Sequence, residues 1–398
     1  MLTIIFDDHK CKSFYPICLT RSVGDLRCGI LKLRQRLEHL FSDREQDSAV
    51  IIESRLVPLY QERHPDWAIN QPTQDQALYL NSRLVVTHES IEVISKLQPN
   101  EAYCSENEIA AMYATGDPRS GIDHNPRFRV IPEKAKLYNN LAEVIHDNSR
   151  LIRWDFDNIF YDADNAFDTE PGVTVLHPYN VWIGENVQIS PGVVIDASEG
   201  PVVIDNGARV MSNAVLTGPL YLGKNSLVKI GAKLYGGVSI GPVCKVGGEI
   251  EGSILQAYSN KQHDGFLGHA YIGEWVNLGA DTNNSDLKNT YKNVHIYDYL
   301  SSTQQDSGSQ FMGCIIGDHS KTGINVSLNT GTVVGVGCNI FSSNLFSGFI
   351  PDFSWGEAGQ LTHYRYLAFC ETAALVKQRR NLAFSGIEAD LYKTISGE

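Results

Sequence analysis

The apolar positions of the chain follow one pattern up to about residue 160 and another from about residue 172. In the first part, short apolar runs at 2–6, 49–52 and 77–80 stand between stretches of helical periodicity, as buried strands alternating with helices do. Ile30, Leu33, Leu37, Leu40 and Phe41 recur at helical spacing, which predicts a helix that buries this stripe and leaves Lys32, Arg34, Arg36 and Glu38 to water. The alternation predicts an α/β domain with a mostly parallel sheet.

In the second part the period is six. From Ile204, every sixth residue is a branched aliphatic: Val210, Leu216, Leu222, Val228, Leu234, Ile240 and Val246 follow without a miss. Ile183, Ile189 and Ile195 precede this run, Ile272 and Leu278 follow it, and Ile316, Leu328, Val334 and Ile340 form another, broken only at Thr322. A helix repeats every 3.6 residues and a strand every two, so neither accounts for the pattern. A triangular parallel β-solenoid does, because three six-residue sides close a coil and each side turns one aliphatic inward. Gly184, Gly223, Gly241, Gly247, Gly273, Gly317 and Gly335 follow those aliphatics and are expected to permit the turns. After Ile350 the glycines and the period vanish, and 361–380 reads as a helix capping the solenoid. Its final cluster, Lys377, Arg379 and Arg380, fits a solvated helix end or a phosphate contact.

At 398 residues, with 33 Lys and Arg against 46 Asp and Glu, the chain is long enough for two or three cores and carries a formal charge of −13. That balance argues against sequence-independent binding to nucleic acid or to an anionic membrane, which needs clustered cations. The eight cysteines are dispersed, with no pair at the spacing of a zinc or redox site, and read as small buried thiols. No run approaches the roughly 18 apolar residues of a membrane span, and the chain reads as cytoplasmic.

Particular segments sharpen this picture: 6–8, 19–27, 80–83, 248–250, 258–268, 272–280 and 321–326. Together they resemble the bifunctional N-acetylglucosamine-1-phosphate uridylyltransferase and glucosamine-1-phosphate N-acetyltransferase family, in a divergent bacterial branch. The resemblance implies a nucleotidyltransferase-like (Rossmann-like) α/β domain over 1–160, a left-handed parallel β-helix acyltransferase domain over 172–350 and a helical segment over 351–398. By the same resemblance His263, five residues before Gly268 and fourteen before Asn277, matches the base that deprotonates the sugar amine. Glu249, fourteen residues before it, matches the carboxylate that orients the imidazole. An unprotonated amine is the nucleophile, and an imidazole titrates near working pH, so the chemistry suits the pairing. His269, six residues on, raises a metal alternative, but its spacing differs from that of hexapeptide-repeat carbonic anhydrases.

The chain departs from the family at several of its contacts. Glu251 stands where the family has Lys, and Phe266 where a Tyr would reach the sugar. Asn277, Lys233, Tyr235 and Lys261 are the expected substrate contacts, and Thr322, Gly323, Arg379 and Arg380 the expected contacts to acetyl-CoA. In the amino-terminal half, Asp7 and Asp8 replace the Gly-rich loop whose amides cradle a triphosphate. A magnesium-binding Asp is replaced by Asn81 and Ser82. Arg21 and Arg27 remain as expected nucleotide contacts with Asn81, and Asp155 and Asp157 read either as replacement Mg2+ ligands or as solvated linker acids.

The resemblance therefore implies acetyl transfer from acetyl-CoA to a hexosamine 1-phosphate, then condensation with a nucleoside triphosphate in the presence of Mg2+, in a homotrimer. Two alternatives are a nucleotidyltransferase whose solenoid only oligomerises and a non-catalytic nucleotide-sugar-binding scaffold.

Overall fold

The computed structural model describes residues 2–42, 48–71, 73, 75–118, 128–166 and 171–398. Strands β1 (Thr3–Phe6), β2 (Ala49–Ile51), β3 (Ala68–Ile69), β4 (Ala77–Asn81), β5 (Glu101–Ser105), β6 (Glu108–Ala114) and β7 (Arg129–Lys134) form one sheet in the order β3-β2-β1-β4-β6-β5-β7. β1 pairs in parallel with β2 and β4, and β2 with β3. β6 runs antiparallel to β4 and β5, so the parallel half is the one the apolar runs predict. The helices are α1 (Leu33–Phe41), α2 (Val57–Arg63), α3 (His88–Ser95) and α4 (Leu141–Asp155).

The expected aqueous face of α1 is not in water. Leu33 and Leu37 are buried as predicted, but Arg34 and Arg36 are buried too, Arg34 beside Asp25 and Glu38 and Arg36 against Asp155. The reason is tertiary. α4 packs Ile152 and the following Phe156 with Ile30 onto Val203 and Tyr221 of the solenoid beside the start of α1; only Gln35 and His39 of the helix face water, and the buried cations are sustained because each meets a carboxylate.

From residue 174 the chain winds into a three-sided parallel β-helix. Its longest face, nine strands, runs from Val181–Ile183 to Phe349–Ile350. Ile204 pairs with Leu222 and Leu222 with Ile240, so each coil takes three six-residue sides. Their side chains fill the core, fully buried. The period then shortens: Ile240 pairs with Leu255, and Leu255 with Ile272. Ile272 next pairs with Ile316, across an insertion that carries the antiparallel hairpin His295–Asp298/Thr303–Asp306. Thr322, the one miss of the last run, takes an inward position and satisfies its hydroxyl on that of Thr282 at 2.7 Å.

The solenoid glycines do a different job from the one expected. None of those seven needs a left-handed φ; at Gly241 a Cβ would lie 1.8 Å from the Gln256 carbonyl oxygen of the next coil. They permit coils to stack closely. After six of them the left-handed turn falls two residues later, at Asn186, Asn225, Val243, Trp275, His319 and Gly337, and after Gly247 it falls on the next residue, Gly248.

The nine-stranded face is covered by the chain's own amino-terminal domain. Ile254, Tyr271, Ile315 and Val333 point outward from it into a core shared with Leu26, Leu33 and Val144. The carboxy-terminal segment also differs from expectation: Gln360–His363 forms a hairpin with Ser354–Glu357, and helix α5 begins only at Tyr366 (Tyr366–Gln378), followed by α6 (Gly386–Ser396). The two helices wedge between solenoid and domain, with Phe369 and Tyr392 against Phe353 and Leu391 against Leu56 and Leu59. No described helix is long and apolar enough to cross a membrane. Every cysteine is free; all are buried except Cys370, which is half-buried.

Candidate functional site

Two clefts gather the polar chemistry. The first, of about 600 Å3, opens at the carboxyl ends of β1 and β2, where Phe6 leads into Asp7 and Asp8 and Ile52 into Glu53. In open α/β sheets this end, where strand order reverses, is where ligands bind. Leu300, at the tip of the solenoid hairpin, closes its far side.

Its lining is acidic. Burial pushes the Asp7 carboxyl up to about 7, opposed by hydrogen bonds from Ser82 and Ser22 at 2.6 and 2.9 Å. Burial would raise Asp8 likewise, but the guanidinium of Arg83 at 2.5 Å holds it below the usual carboxylate range. Arg83 also reaches Glu108 at 3.1 Å, and Lys10 reaches Glu108 at 2.9 Å. Asp8, His9 and Glu108 bring donor atoms within 4.8 Å of one another. Asn81 is fully buried and donates to Asp8 at 2.8 Å, so it positions that carboxylate rather than facing the cavity.

Arg21 and Arg27 do not line this cavity. Arg21 is buried at the seam with the solenoid, bonded to Asp318 and 3.6 Å from Glu274, while the Thr20 hydroxyl donates to Asp318 at 2.7 Å. Burial raises Asp318, whereas Arg21 and Arg63 hold Glu274 down against its own burial. Arg27 donates to the Ile30 carbonyl and lies 5.2 Å over the Tyr221 ring. Both guanidiniums join the two domains. Asp155 is likewise neither a metal ligand nor a solvated linker acid: it is fully buried, 2.7 Å from Arg36.

The second cleft, of about 270 Å3, lies on another side of the solenoid. Here the outward residues of successive coils form a ladder in which Lys245 pairs with Asn260, Asn260 bridges to Asn277 and Asn277 to Lys321. Arg379 and Arg380, at the end of α5, form the opposite wall. Burial brings Lys321 down to about 8, and Lys245 is lowered by burial and by the charges of Arg380, Arg379 and Lys229. Asn277, expected as a sugar contact, thus lines the same cleft as Arg379 and Arg380, expected as acetyl-CoA contacts. Thr322 turns inward, and Gly323 lies beyond the cleft against Phe341. Lys245 was missed, although its outward register beside inward Val246 was readable.

The expected catalytic group is arranged more loosely. His263 is exposed, and its imidazole has no hydrogen bond or ion pair among the described residues. Its carbonyl accepts from Lys261, whose buried ammonium is brought down to about 8, so Lys261 holds the turn. Glu249 lies on the adjoining strand and meets Lys233 at 3.5 Å rather than His263. Tyr235 is partly exposed two residues beyond Lys233. His269, by contrast, forms a dyad with Asp286 at 2.8 Å, which fixes its tautomer if the imidazole is neutral.

Residues 3–163 match the model of a family described as sugar nucleotidyl transferase. The chain is similar to the bifunctional protein GlmU of Synechococcus elongatus, 26% identical over 241 residues, which is 56% of this chain and 49% of that protein. It is also 26% identical to the bifunctional protein GlmU of Bartonella quintana over 275 residues, 59% of this chain and 56% of that one. The chain spans about half the length of the curated relatives it matches. Among solved structures, LpxA from Acinetobacter baumannii matches 57% of this chain and 91% of that one at 16% identity, with a TM-score of 0.26.

Proposed function

We propose that this divergent GlmU-like chain is a transferase of nucleotide-sugar biosynthesis with two sites. The observation that carries the reading is the pairing, in one chain, of an acid-lined cavity at the strand ends of a sugar nucleotidyl transferase domain with a cation-lined cleft on a β-helix. At the β-helix, the amine of a hexosamine 1-phosphate, with glucosamine 1-phosphate favoured, attacks the thioester carbonyl of acetyl-CoA. The C–N bond forms, the C–S bond breaks, CoA leaves as the thiol, and the amine proton passes to a base. His263 is that base in this reading, with Glu249 and Lys233 on the neighbouring strands and Asn277, Tyr235 and Lys261 as the sugar contacts. The His269–Asp286 dyad is the second candidate, favoured by its fixed tautomer.

At the amino-terminal cavity, the sugar 1-phosphate attacks the α-phosphate of a nucleoside triphosphate and pyrophosphate leaves. Mg2+, when bound, screens the phosphate charge, and the oxygen donors of Asp8 and Glu108 are of the kind it takes. Arg83 and Lys10 already pair with these carboxylates, so Asp8 and Glu108 would hold Mg2+ only in competition with those two cations. We also propose a homotrimer, with the six-stranded face, which exposes Leu176, Val215 and Tyr235, available to partner copies.

The test follows free thiol and pyrophosphate separately, with acetyl-CoA and glucosamine 1-phosphate first and UTP with Mg2+ second. His263→Ala and His269→Ala, each folded, assign the base: the variant that loses thiol release while keeping pyrophosphate release from N-acetylglucosamine 1-phosphate names it. Absence of both products across a panel of aminosugars and nucleotides would overturn the reading in favour of a scaffold.

A further inference from the structure

Between Ile272 and Ile316 the chain leaves the solenoid, and the hairpin His295–Asp298/Thr303–Asp306 that it carries reaches across to the amino-terminal domain. Its root is fixed to the solenoid, where Tyr297 stacks on Phe349 with centroids 3.9 Å apart and planes 8° from parallel. Tyr299 packs edge-on to the same Phe349 at 5.2 Å, and its hydroxyl donates to Asp352 at 3.4 Å. The next residue, Leu300, lines the acid-rich cavity and is 44% exposed. A strap that only tied two domains together would bury its apolar tip, because burial is what an apolar side chain contributes to such a contact. Here the root packs its rings and the tip keeps Leu300 open to the cavity.

Tyr299 also leads to a carboxylate. Its ring meets Tyr15 edge-on at 5.7 Å. The Tyr15 hydroxyl donates to the Glu53 oxygens at 3.0 and 2.8 Å, and Arg55 donates to the same carboxylate at 2.6 Å and to the Tyr15 hydroxyl at 2.8 Å. Burial pushes the Tyr15 phenol up, so it stays a donor. Glu53 is thus fixed in place, yet its side chain remains 23% exposed where it lines the cavity. Strand order sets it apart from the other acids: β2 delivers Glu53 on one side of β1, whereas the partners of Asp8, which are Asn81, Arg83 and, through Arg83, Glu108, come from β4 and β6 on the other side. One half of the cavity therefore holds carboxylates paired with cations, and the other holds one oriented carboxylate together with Leu300 from the solenoid.

We propose that the hairpin tip is a sugar-selecting wall of the amino-terminal cavity, with Leu300 against the C–H face of a sugar ring and Tyr299, through Tyr15, holding Glu53 to accept from two neighbouring hydroxyls of that ring. An ionised carboxylate only accepts, so it suits a diol and repels a phosphate, and an aliphatic side chain covers the apolar face of the ring. Leu300 touches the ligand, whereas Tyr299 is a positioning residue. Two rings of a nucleotide sugar carry neighbouring hydroxyls, the ribose and the hexose. The inference rests on the nucleotidyl-transfer reading of this cavity for its substrates, and it gives the β-helix a part in that reaction beyond assembly.

The experiment follows pyrophosphate release by the full chain with N-acetylglucosamine 1-phosphate, UTP and Mg2+, and calorimetric binding of UDP-N-acetylglucosamine, in Leu300→Ser, Tyr299→Ala and Tyr299→Phe. Leu300 is exposed, so Leu300→Ser keeps the test open if Tyr299→Ala fails to fold. Leu300→Ser is expected to raise KM for one substrate roughly tenfold, with kcat within about twofold and the melting temperature and thiol release unchanged. Tyr299→Ala is expected to reduce, by about fivefold or more, the preference for UTP over 2′-deoxy-UTP or for N-acetylglucosamine 1-phosphate over its 3-deoxy analogue, and Tyr299→Phe, which keeps the ring, to restore it. The preference that falls names the ring, ribose in the first case and hexose in the second. Native KM and native preferences in Leu300→Ser and Tyr299→Ala, or a loss in Tyr299→Ala that Tyr299→Phe does not restore, overturn the proposal. If the native chain releases no pyrophosphate but binds UDP-N-acetylglucosamine, and Leu300→Ser weakens that binding roughly tenfold, the transfer reading falls and the wall stands. No release, with binding that Leu300→Ser leaves unchanged, removes both.

Discussion

The buried pair of Arg36 and Asp155 predicts a measurable stability cycle. Arg36 donates to Asp155 twice at 2.7 Å, and Asp155 also accepts the Ile30 and Leu31 amides at 2.8 and 3.1 Å. Both charges are out of water, at 1% and 0% side-chain exposure, where α1, α4 and the Gly29 turn meet. Removing one partner strands the other, so Arg36→Met and Asp155→Asn should each cost about 3–5 kcal/mol. The double variant Arg36→Met/Asp155→Asn has no stranded charge, and its asparagine carbonyl still accepts the two amides. It should therefore lose less than either single variant, about 1–2 kcal/mol. The assay is urea unfolding followed by circular dichroism, with the amino-terminal transition fitted separately if it precedes that of the solenoid. If the double loss equals the sum of the single losses, or either single loss is below about 1 kcal/mol, the pair does not hold this junction as argued.

Three further outcomes are expected. Burial raises the Asp352 carboxyl from its ordinary value to about 6, so folding favours its protonated form. Its contribution is therefore present at acid pH and lost as pH rises from about 4 to about 6, and Asp352→Asn should stabilise the protein at pH 8 by up to about 3 kcal/mol and by nothing near pH 3.5. Lys321, brought down to about 8 by burial, loses its charge above that pH, so anion affinity in the second cleft should fall between pH 7 and 9 in the native chain but not in Lys321→Met. Gly241→Ala would place a methyl 1.8 Å from the Gln256 carbonyl oxygen, and coils that cannot close should give insoluble protein or a melting transition lowered by well over 5 °C.

The period of six made the solenoid readable because one inward side chain per side is an obligate feature of that geometry. Its coil contacts were less readable: glycine at the next position signals close approach or a turn equally well, and only the stacked backbones decide between them. Arg34, Arg36 and Asp155 were misread for a related reason. Sequence spacing places a residue on a helix face but does not say that another domain covers that face. Arg21 and Arg27 looked like phosphate clamps because exposed loop guanidiniums often are, yet their carboxylate and aromatic partners lie some 200–300 residues away in the chain. The second cleft was half visible. Asn277, Arg379 and Arg380 could be named from motif and charge, whereas Lys245 joins them only because coils stack Lys245, Asn260, Asn277 and Lys321 in register.

We propose that one chain performs both transfers. This is tested most directly by incubating the purified protein with acetyl-CoA labelled with carbon-13 in the acetyl group, glucosamine 1-phosphate, UTP and Mg2+, and weighing the sugar nucleotide by mass spectrometry. The expected product is a UDP-N-acetylhexosamine carrying the full label. A sugar nucleotide formed from added N-acetylglucosamine 1-phosphate but never labelled from acetyl-CoA would contradict it, and would leave the solenoid as a platform for assembly.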